Sequence, residues 1–376
     1  MENRVSITRT DSYSPDKVEQ AVWRHFELLG LAEHIRPGMK VLIKPNLLMK
    51  RRPEEGTTTH PAFVRAIILC LQRLGVSDIT IADSPGGPFT GAMLSPIYES
   101  TGMKAVAEET GAKLNWDFGS FEKKAEHARM VSGFTLISAV KDADFIIDAP
   151  KLKTHGMTML SGAVKNLFGT VPGLMKPEFH WRFPEKDRFC HMLLDLCETV
   201  RPDVVFVDGI VSMEGNGPSG GTLRETGLIL ASRSPYAADL ALCRILGIRP
   251  DVAPTVSLAI ERRLCPESAE KIDFCGDPVP ALTDYKLPQS KSVYLSAYIP
   301  KPFRPLADKL LTSRPVIRKR RCVGCGKCAE SCPAQTIHVV SRKAEIDYSK
   351  CIRCYCCHEM CQVKAIDIKR FRIFNL

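Results

Sequence analysis

The sequence predicts an α/β fold, a mostly parallel sheet with helices on both faces, followed by a second, much smaller unit. Three observations carry this. Short apolar runs recur without polar alternation, the pattern of strands buried on both faces. Helical patterns lie between those runs, which is the order of α/β proteins. Nine of the fifteen cysteines crowd into residues 322–361, and that clustering implies ligand chemistry rather than packing.

In chain order, Val18, Val22, Phe26 and Leu29 share one helical face. Val41–Ile43 is the first buried strand. Pro61 suits a first helical position, and Phe63, Ile67, Leu71 and Leu74 line the helix that follows. Ile79–Ala82 and Phe145–Ile147 are the next strands. Ser161–Gly169 reads either as a short helix against the crevice that presents Lys165 and Asn166, or as a tightly packed helix with Gly169 as its C-cap. A helix over 187–200, strands at Val204–Val207 and Leu228–Ala231, and a helix over Pro235–Leu246 complete a domain of residues 1–285. Pro288, Pro300, Pro302, Pro305 and Pro315 punctuate a linker over 286–316, in which Leu306–Leu311 has the pattern of one short helix. Residues 317–376 form the last unit.

Composition bounds the function. The 376 residues are 44% hydrophobic and 25% charged, which excludes wholesale disorder and collagen-like repeats. No apolar run approaches the ~18 residues of a membrane span. Met1–Ser14 is polar and lacks a secretory h-region. A cytoplasmic location is expected, and there cysteines signify metal or redox chemistry more than disulfides. The net charge of +10 is local. Residues 286–376 hold 19 Lys+Arg against 6 Asp+Glu, a net +13, and the remainder carries −3.

The cysteine tail is a duplication. Cys322, Cys325, Cys328 and Cys332 follow C-x2-C-x2-C-x3-C, and Cys351, Cys354, Cys357 and Cys361 repeat that spacing 29 positions later. Ile337 and Ile366 keep the same offset. Three thiolates on a turning loop hold three irons of a cubane, and the fourth iron needs a ligand from elsewhere. In two-cluster bacterial-type ferredoxins the fourth cysteine of each run serves the other cluster. Cys322, Cys325, Cys328 and Cys361 are thus expected to hold one [4Fe–4S] cluster, and Cys351, Cys354, Cys357 and Cys332 a second. Zinc favours paired C-x2-C knuckles over four cysteines in one run. Gln362 stands where a proline would follow the second run, which bears on loop shape only. Cys356 is surplus, either a buried thiol or a spare ligand. The surrounding Lys and Arg residues offset the cluster charge or dock an acidic redox partner. Base stacking would need interleaved aromatics, which are absent here, and this argues against nucleic acid.

In the large domain, polar loops follow the strands, where open α/β sheets bind ligands. Lys44, Lys151, Lys153 and Lys165 would give a cationic crevice for a carboxylate or phosphate, with Asn46 and Asn166 beside them. Gly217, Gly220 and Gly221 either let backbone N–H groups approach an anion or form a flexible lid. His60 and His155 are candidates for proton transfer. Asp83 and Asp208 bind a metal or hydroxyl, or cap the turns they begin. Met157, Met159 and Phe168 read as core, and Cys70, Cys190, Cys197, Cys243, Cys265 and Cys275 lack metal spacing. No phosphate-loop motif is present, so flavin, nucleotide and metal all stay open as a further occupant.

Together Lys44-Pro45-Asn46, Thr59-His60-Pro61, Asp83-Ser84-Pro85-Gly86, Lys151 through His155, Gly162 through Asn166, and Asp208-Gly209 through Gly220-Gly221 resemble the domain of unknown function 362. The tail, with Cys354-Tyr355-Cys356-Cys357-His358-Glu359, is similar to the ferredoxin-like α+β iron–sulfur extension that many members carry. More distantly, the arrangement resembles the amino-terminal half of nickel-pincer lactate racemases, which implies a small anionic ligand and histidine acid–base work. Two functions are weighed. One is a ferredoxin-linked oxidoreductase that receives electrons from a flavoprotein or ferredoxin and reduces a small anion in the crevice. The other is an electron-carrier or binding module that serves a partner enzyme without turnover of its own.

Overall fold

The structure is a computed structural model and describes residues 3–288 and 313–369. The short helix expected at Leu306–Leu311 lies outside the described residues. Ten strands form the main sheet: β1 (Arg4–Arg9), β2 (Lys40–Pro45), β3 (Asp78–Ile81), β4 (Lys113–Leu114), β7 (Phe145–Ala149), β8 (Lys151–His155), β9 (Met159–Ser161), β10 (Val204–Glu214), β11 (Thr222–Ser232) and β12 (Asp273–Gly276). Between β4 and β7, β5 (Ser120–Lys124) and β6 (Gly133–Ile137) pair with each other. The main path runs β12-β1-β11-β10-β7-β2-β3-β4. From β10 to β4 the neighbours are parallel. β11 is antiparallel to both β10 and β1.

Helices cover both faces. Over one lie α1 (Pro15–Leu28), α2 (Pro61–Arg73), α3 (Gly91–Ser100) and α4 (Met103–Thr110), whose apolar residues pack on Ile43, Ile147 and Phe206. The alternate strand residues Leu42 and Ile146 face the other side. There, after the short α5 (Ser138–Lys141), lie α6 (Ala163–Asn166), α7 (Lys176–Arg182) and α8 (Lys186–Val200). Further along that face, Val205, Val207 and Leu230 pack on α9 (Pro235–Ile245) and α10 (Pro254–Glu261). Strand neighbours pointing to opposite covered faces leave no polar position, so the runs are continuously apolar.

The structure departs from the sequence expectation in four places. Leu228–Ala231 is a strand, but an antiparallel one. Burial on both faces erases alternation whatever the direction. Lys151–His155 is not a loop. β8 follows β7 after Pro150 alone and pairs with β10 at Lys151↔Asp208 and Lys153↔Met213. Its lysines are tolerated inside because each ammonium is hydrogen-bonded. Asp208 does not end its strand, since β10 runs on to Glu214 past an irregularity at Gly209/Val211. Gly169 is not a C-cap but sits in a 3₁₀ turn over Leu167–Thr170. A Cβ there would overlap Asp83 and Lys44. Met157, Met159 and Phe168 are buried as expected.

His25 supplies a pH test of the α1 packing. Its Nδ1 lies 2.6 Å from Ser6 Oγ and its Nε2 2.8 Å from Thr8 Oγ1 on β1. Burial pushes its pKa down to about 3. A histidine depressed in the folded state favours folding above its unfolded pKa of ~6.5, and that contribution is lost as pH falls towards the folded value. In urea titrations, His25→Leu should flatten the fall in stability between pH 6 and pH 4 by one proton, ~1.4 kcal/mol per pH unit. An unchanged slope would mean that the ring is not held neutral.

The small unit contains β13 (Arg314–Ile317), α11 (Lys327–Glu330), β14 (Ile337–Val340), β15 (Lys343–Ile346), α12 (Cys356–Glu359) and β16 (Ile366–Lys369). β13 pairs with β16 and β14 with β15, both antiparallel. Ile337 and Ile366, equivalent in the repeat, are both buried in its core beside the cysteines. No helix among the described residues is long and apolar enough to cross a membrane.

Candidate functional site: a cavity closed by the cysteine-rich domain

The cysteines gather into two sets, and each set mixes the two runs. One hollow is lined by Cys322, Cys325, Cys328 and Cys361, and a second by Cys332, Cys351, Cys354 and Cys357. No group of three or more His, Cys, Asp or Glu side chains among the described residues converges to hold a single metal ion; the sulfurs surround a space instead. Backbone N–H groups point at them. Ala344 N donates to Cys322 Sγ at 3.3 Å, Ala365 N to Cys361 Sγ at 3.1 Å, and Thr336 N to Cys332 Sγ at 3.3 Å. Such donors suit thiolates that carry charge. The residues therefore fit cubane clusters.

The helix α12 sits on the large domain. Ser219 Oγ donates to Glu359 O at 3.0 Å, His358 Nε2 lies 3.0 Å from Asn216 O, and Arg51 Nη2 donates to Cys361 O at 3.4 Å. The loop of Gly217, Gly220 and Gly221 thus meets the small domain. A Cβ on Gly220 would come within 2.7 Å of His358 Cε1, so the missing side chain allows the close approach.

Between the domains lies a cavity of about 380 Å³. It is lined by the predicted residues Lys44, Asn46, Asp83, Lys153, His155, Lys165 and Asn166. Lys44 Nζ pairs with Asp83 Oδ1 at 2.8 Å. Lys153 Nζ donates to Asn46 Oδ1 at 2.7 Å and Thr57 O at 2.6 Å. Asn46 Nδ2 in turn donates to Asn166 Oδ1 at 2.9 Å, and Asn166 Nδ2 to Asp148 Oδ1 at 2.7 Å. Burial pushes Lys153 down to about 7 and Asp148 up to about 8. The short helix α6 is held in place by Asp239, which accepts from Ala163 N at 2.7 Å.

His155 has a defined tautomer. Its Nδ1 accepts from Met157 N at 3.0 Å, so Nε2 carries the proton and meets Glu359 Oε1 at 3.0 Å. Burial pushes the histidine pKa down. Burial alone would raise the Glu359 carboxyl, but the His155 ring and Lys165 beside it hold it below the usual carboxylate range. The carboxylate is thus supplied to the cavity by the small domain.

The sequence reasoning missed part of the lining: Ser84, Phe168, Lys176, His180, Cys356 and Glu359. Glu359 stood in the tail motif without a role, and Cys356 was expected to be a buried thiol or a spare ligand. Nothing in the local sequence marks Lys176 or His180.

The structure does not bring His60, Lys151, Asp208, Gly217, Gly220 or Gly221 to the cavity lining. His60 caps α2, its Nδ1 accepting from Ala62 N at 3.2 Å. Its ring stacks on Tyr13 at 3.6 Å. Burial pushes its pKa down to about 4. Lys151 and Asp208 form a closed ion pair of 2.9 Å with Tyr13.

Residues 41–244 match the family described as Domain of unknown function (DUF362), and residues 314–362 match the 4Fe-4S dicluster domain. A thylakoid-associated protein of Synechocystis sp. is 33% identical over 77% of this chain and 89% of its own length. One component of an ion-translocating oxidoreductase complex from Methanosarcina acetivorans is 46% identical over 13% of this chain and 18% of its own length. The lactate racemase apoprotein of Thermoanaerobacterium thermosaccharolyticum is 15% identical, with a TM-score of 0.41 over 65% of this chain and 56% of that one. The chain spans little more than half of that structure and under a fifth of the complex component.

Proposed function

The chain belongs to the DUF362 family and ends in a 4Fe-4S electron-transfer domain, and on that premise we propose that it is an oxidoreductase acting on a small anionic substrate or cofactor in the interdomain cavity. Cys322, Cys325, Cys328 and Cys361 would hold one [4Fe–4S] cluster, and Cys332, Cys351, Cys354 and Cys357 a second. Bound clusters supply one-electron transfer. The observation that carries the proposal is on α12. Cys357 belongs to the second sulfur set, and its neighbour Cys356 lines the cavity together with Glu359. A carrier joined to a cleft by the same chain acts at high effective concentration.

The chain's own groups do the rest. Lys153 and Lys165 draw an anion in and orient it. His155 offers its Nε2 proton at the cavity wall. Cys325 is exposed on the far unit, and Arg320 and Arg321 are exposed near it. That surface suits an acidic flavoprotein or ferredoxin as electron donor.

The test is anaerobic. Dithionite-reduced protein is mixed with a panel of small anionic metabolites, and the visible cluster absorption is followed. Reoxidation by one of them supports the enzyme; reoxidation by partner proteins alone marks a carrier. Lys153→Ala, with iron content unchanged, should lower kcat/KM by ~10–100-fold, the loss of one charge-assisted contact. Undiminished turnover would take the cavity out of the mechanism.

A further inference from the structure

Lys165, Lys176 and His180 surround one aromatic ring at the cavity wall. Lys165 Nζ lies 4.7 Å from the Phe168 ring centre, Lys176 Nζ 5.8 Å, and the His180 ring 5.9 Å. His180 also stacks on Phe189 at 4.4 Å. All three line the cavity, and their polar atoms are largely unused. Lys165 makes no hydrogen bond or ion pair with the described residues. His180 is 4% exposed, and among the described residues its Nδ1 has no partner and the buried Ser84 Oγ has none either. Lys176 gives one proton to Ser84 O. A desolvated ammonium with few partners is costly, and burial pushes Lys176 down to about 7. A ligand carboxylate at this wall would remove part of that cost.

We propose that this cluster seats the carboxylate of a monoanionic ligand whose apolar body lies along Leu48, Met93, Leu174 and Met360. The inference rests on the reading of the cavity as the substrate site and names the class it takes. The charge follows from the neighbours. Asp83 and Glu359 already stand in the cavity, against Lys44 and His155. Lys44, Lys153 and Lys176 already have partners, which leaves the Lys165 ammonium to meet one carboxylate, so one charge fits better than two. The body follows from the walls, since Leu48, Met93, Leu174 and Met360 offer no hydrogen-bonding side chain. A cavity of about 380 Å³ has room for a body several times larger than a water molecule or an acetate ion. An arylalkanoic or branched-chain acid has this size.

Binding is read on the oxidised, cluster-loaded protein, by calorimetry and by the fluorescence of the adjoining Trp181. The probes are 3-phenylpropionate, its amide, acetate and inorganic phosphate. The acid should bind saturably, and about tenfold or more tighter than the amide, which lacks the charge, and than acetate, which lacks the body. Lys165→Met and His180→Phe should each weaken it about tenfold at unchanged iron content. An amide or acetate as tight as the acid overturns the proposal, as does phosphate as the tightest probe, or no binding by millimolar concentration. The probe series on the unaltered protein decides even if a variant fails to fold. Oxidised protein needs no electron flow, so this result is independent of the reoxidation assay: binding without reoxidation removes the oxidoreductase and leaves the seat.

Discussion

Combining Cys361→Ala with Cys351→Ala is expected to strip both iron–sulfur sites, while combining Cys361→Ala with Cys322→Ala is expected to spare one. The expectation follows from the two hollows. Cys361 stands with Cys322, Cys325 and Cys328, and Cys351 with Cys332, Cys354 and Cys357. Ligation within each run would give the opposite outcome, because Cys351 and Cys361 share a run. The parent should contain about eight irons and as many sulfides. Cys361→Ala alone should leave at least about four, since the second set keeps its four thiolates. The double variants then separate the schemes by anaerobic iron and sulfide analysis. Loss of both sites should also unfold the small unit. Its core is little more than cysteines, Ile337, Ala344, Ala365 and Ile366. A unit of this size depends on its metal for folding energy.

The grouping of the cysteines was legible because thiolate chemistry dictates spacing directly, with no reference to the rest of the fold. The parallel strands were legible for a related reason: a strand covered on both faces has to be apolar throughout. β8 was not legible. Its segment Lys151-Leu152-Lys153-Thr154-His155 has two lysines in five residues and looks like a loop, yet every residue of it is buried. What makes that possible is distant in sequence: Asp208 and Tyr13 for Lys151, Asn46 and Thr57 for Lys153. The cavity was half legible. Polar residues after strands located Lys44, Asp83, Lys153 and His155, and the short helix over Ser161–Gly169 located Lys165. The wall from α7 and the wall from α12 depend on tertiary docking, which no local pattern encodes. The glycine loop shows the same limit, because its glycines answer to the His358 ring of another domain.

The same distinction makes Lys151→Met a strongly destabilising change. Lys151 and Asp208 side chains are 1% and 0% exposed, and their charges meet at 2.9 Å. Tyr13 OH donates to Asp208 Oδ1 at 2.6 Å, Lys151 Nζ donates to Tyr13 OH at 2.5 Å, and His60 N donates to Asp208 Oδ2 at 2.9 Å. All the polar groups of the cluster are thus satisfied by one another, and none faces the cavity. Methionine fills the volume of the lysine stem but leaves the Asp208 carboxylate buried without its counter-charge. Removing one partner of such a pair costs about 3–5 kcal/mol. Urea unfolding should show that loss with iron content intact. Adding Asp208→Asn should restore most of it, because the amide oxygen still accepts from His60 N, the amide NH2 can donate to the Tyr13 hydroxyl that Lys151 has vacated, and the stranded charge is gone. The double variant should then still bind the cavity's ligand. A Lys151→Met protein as stable as the parent but unable to bind would assign Lys151 to the ligand instead, and would restore the crevice to the breadth that the strand-end lysines suggest.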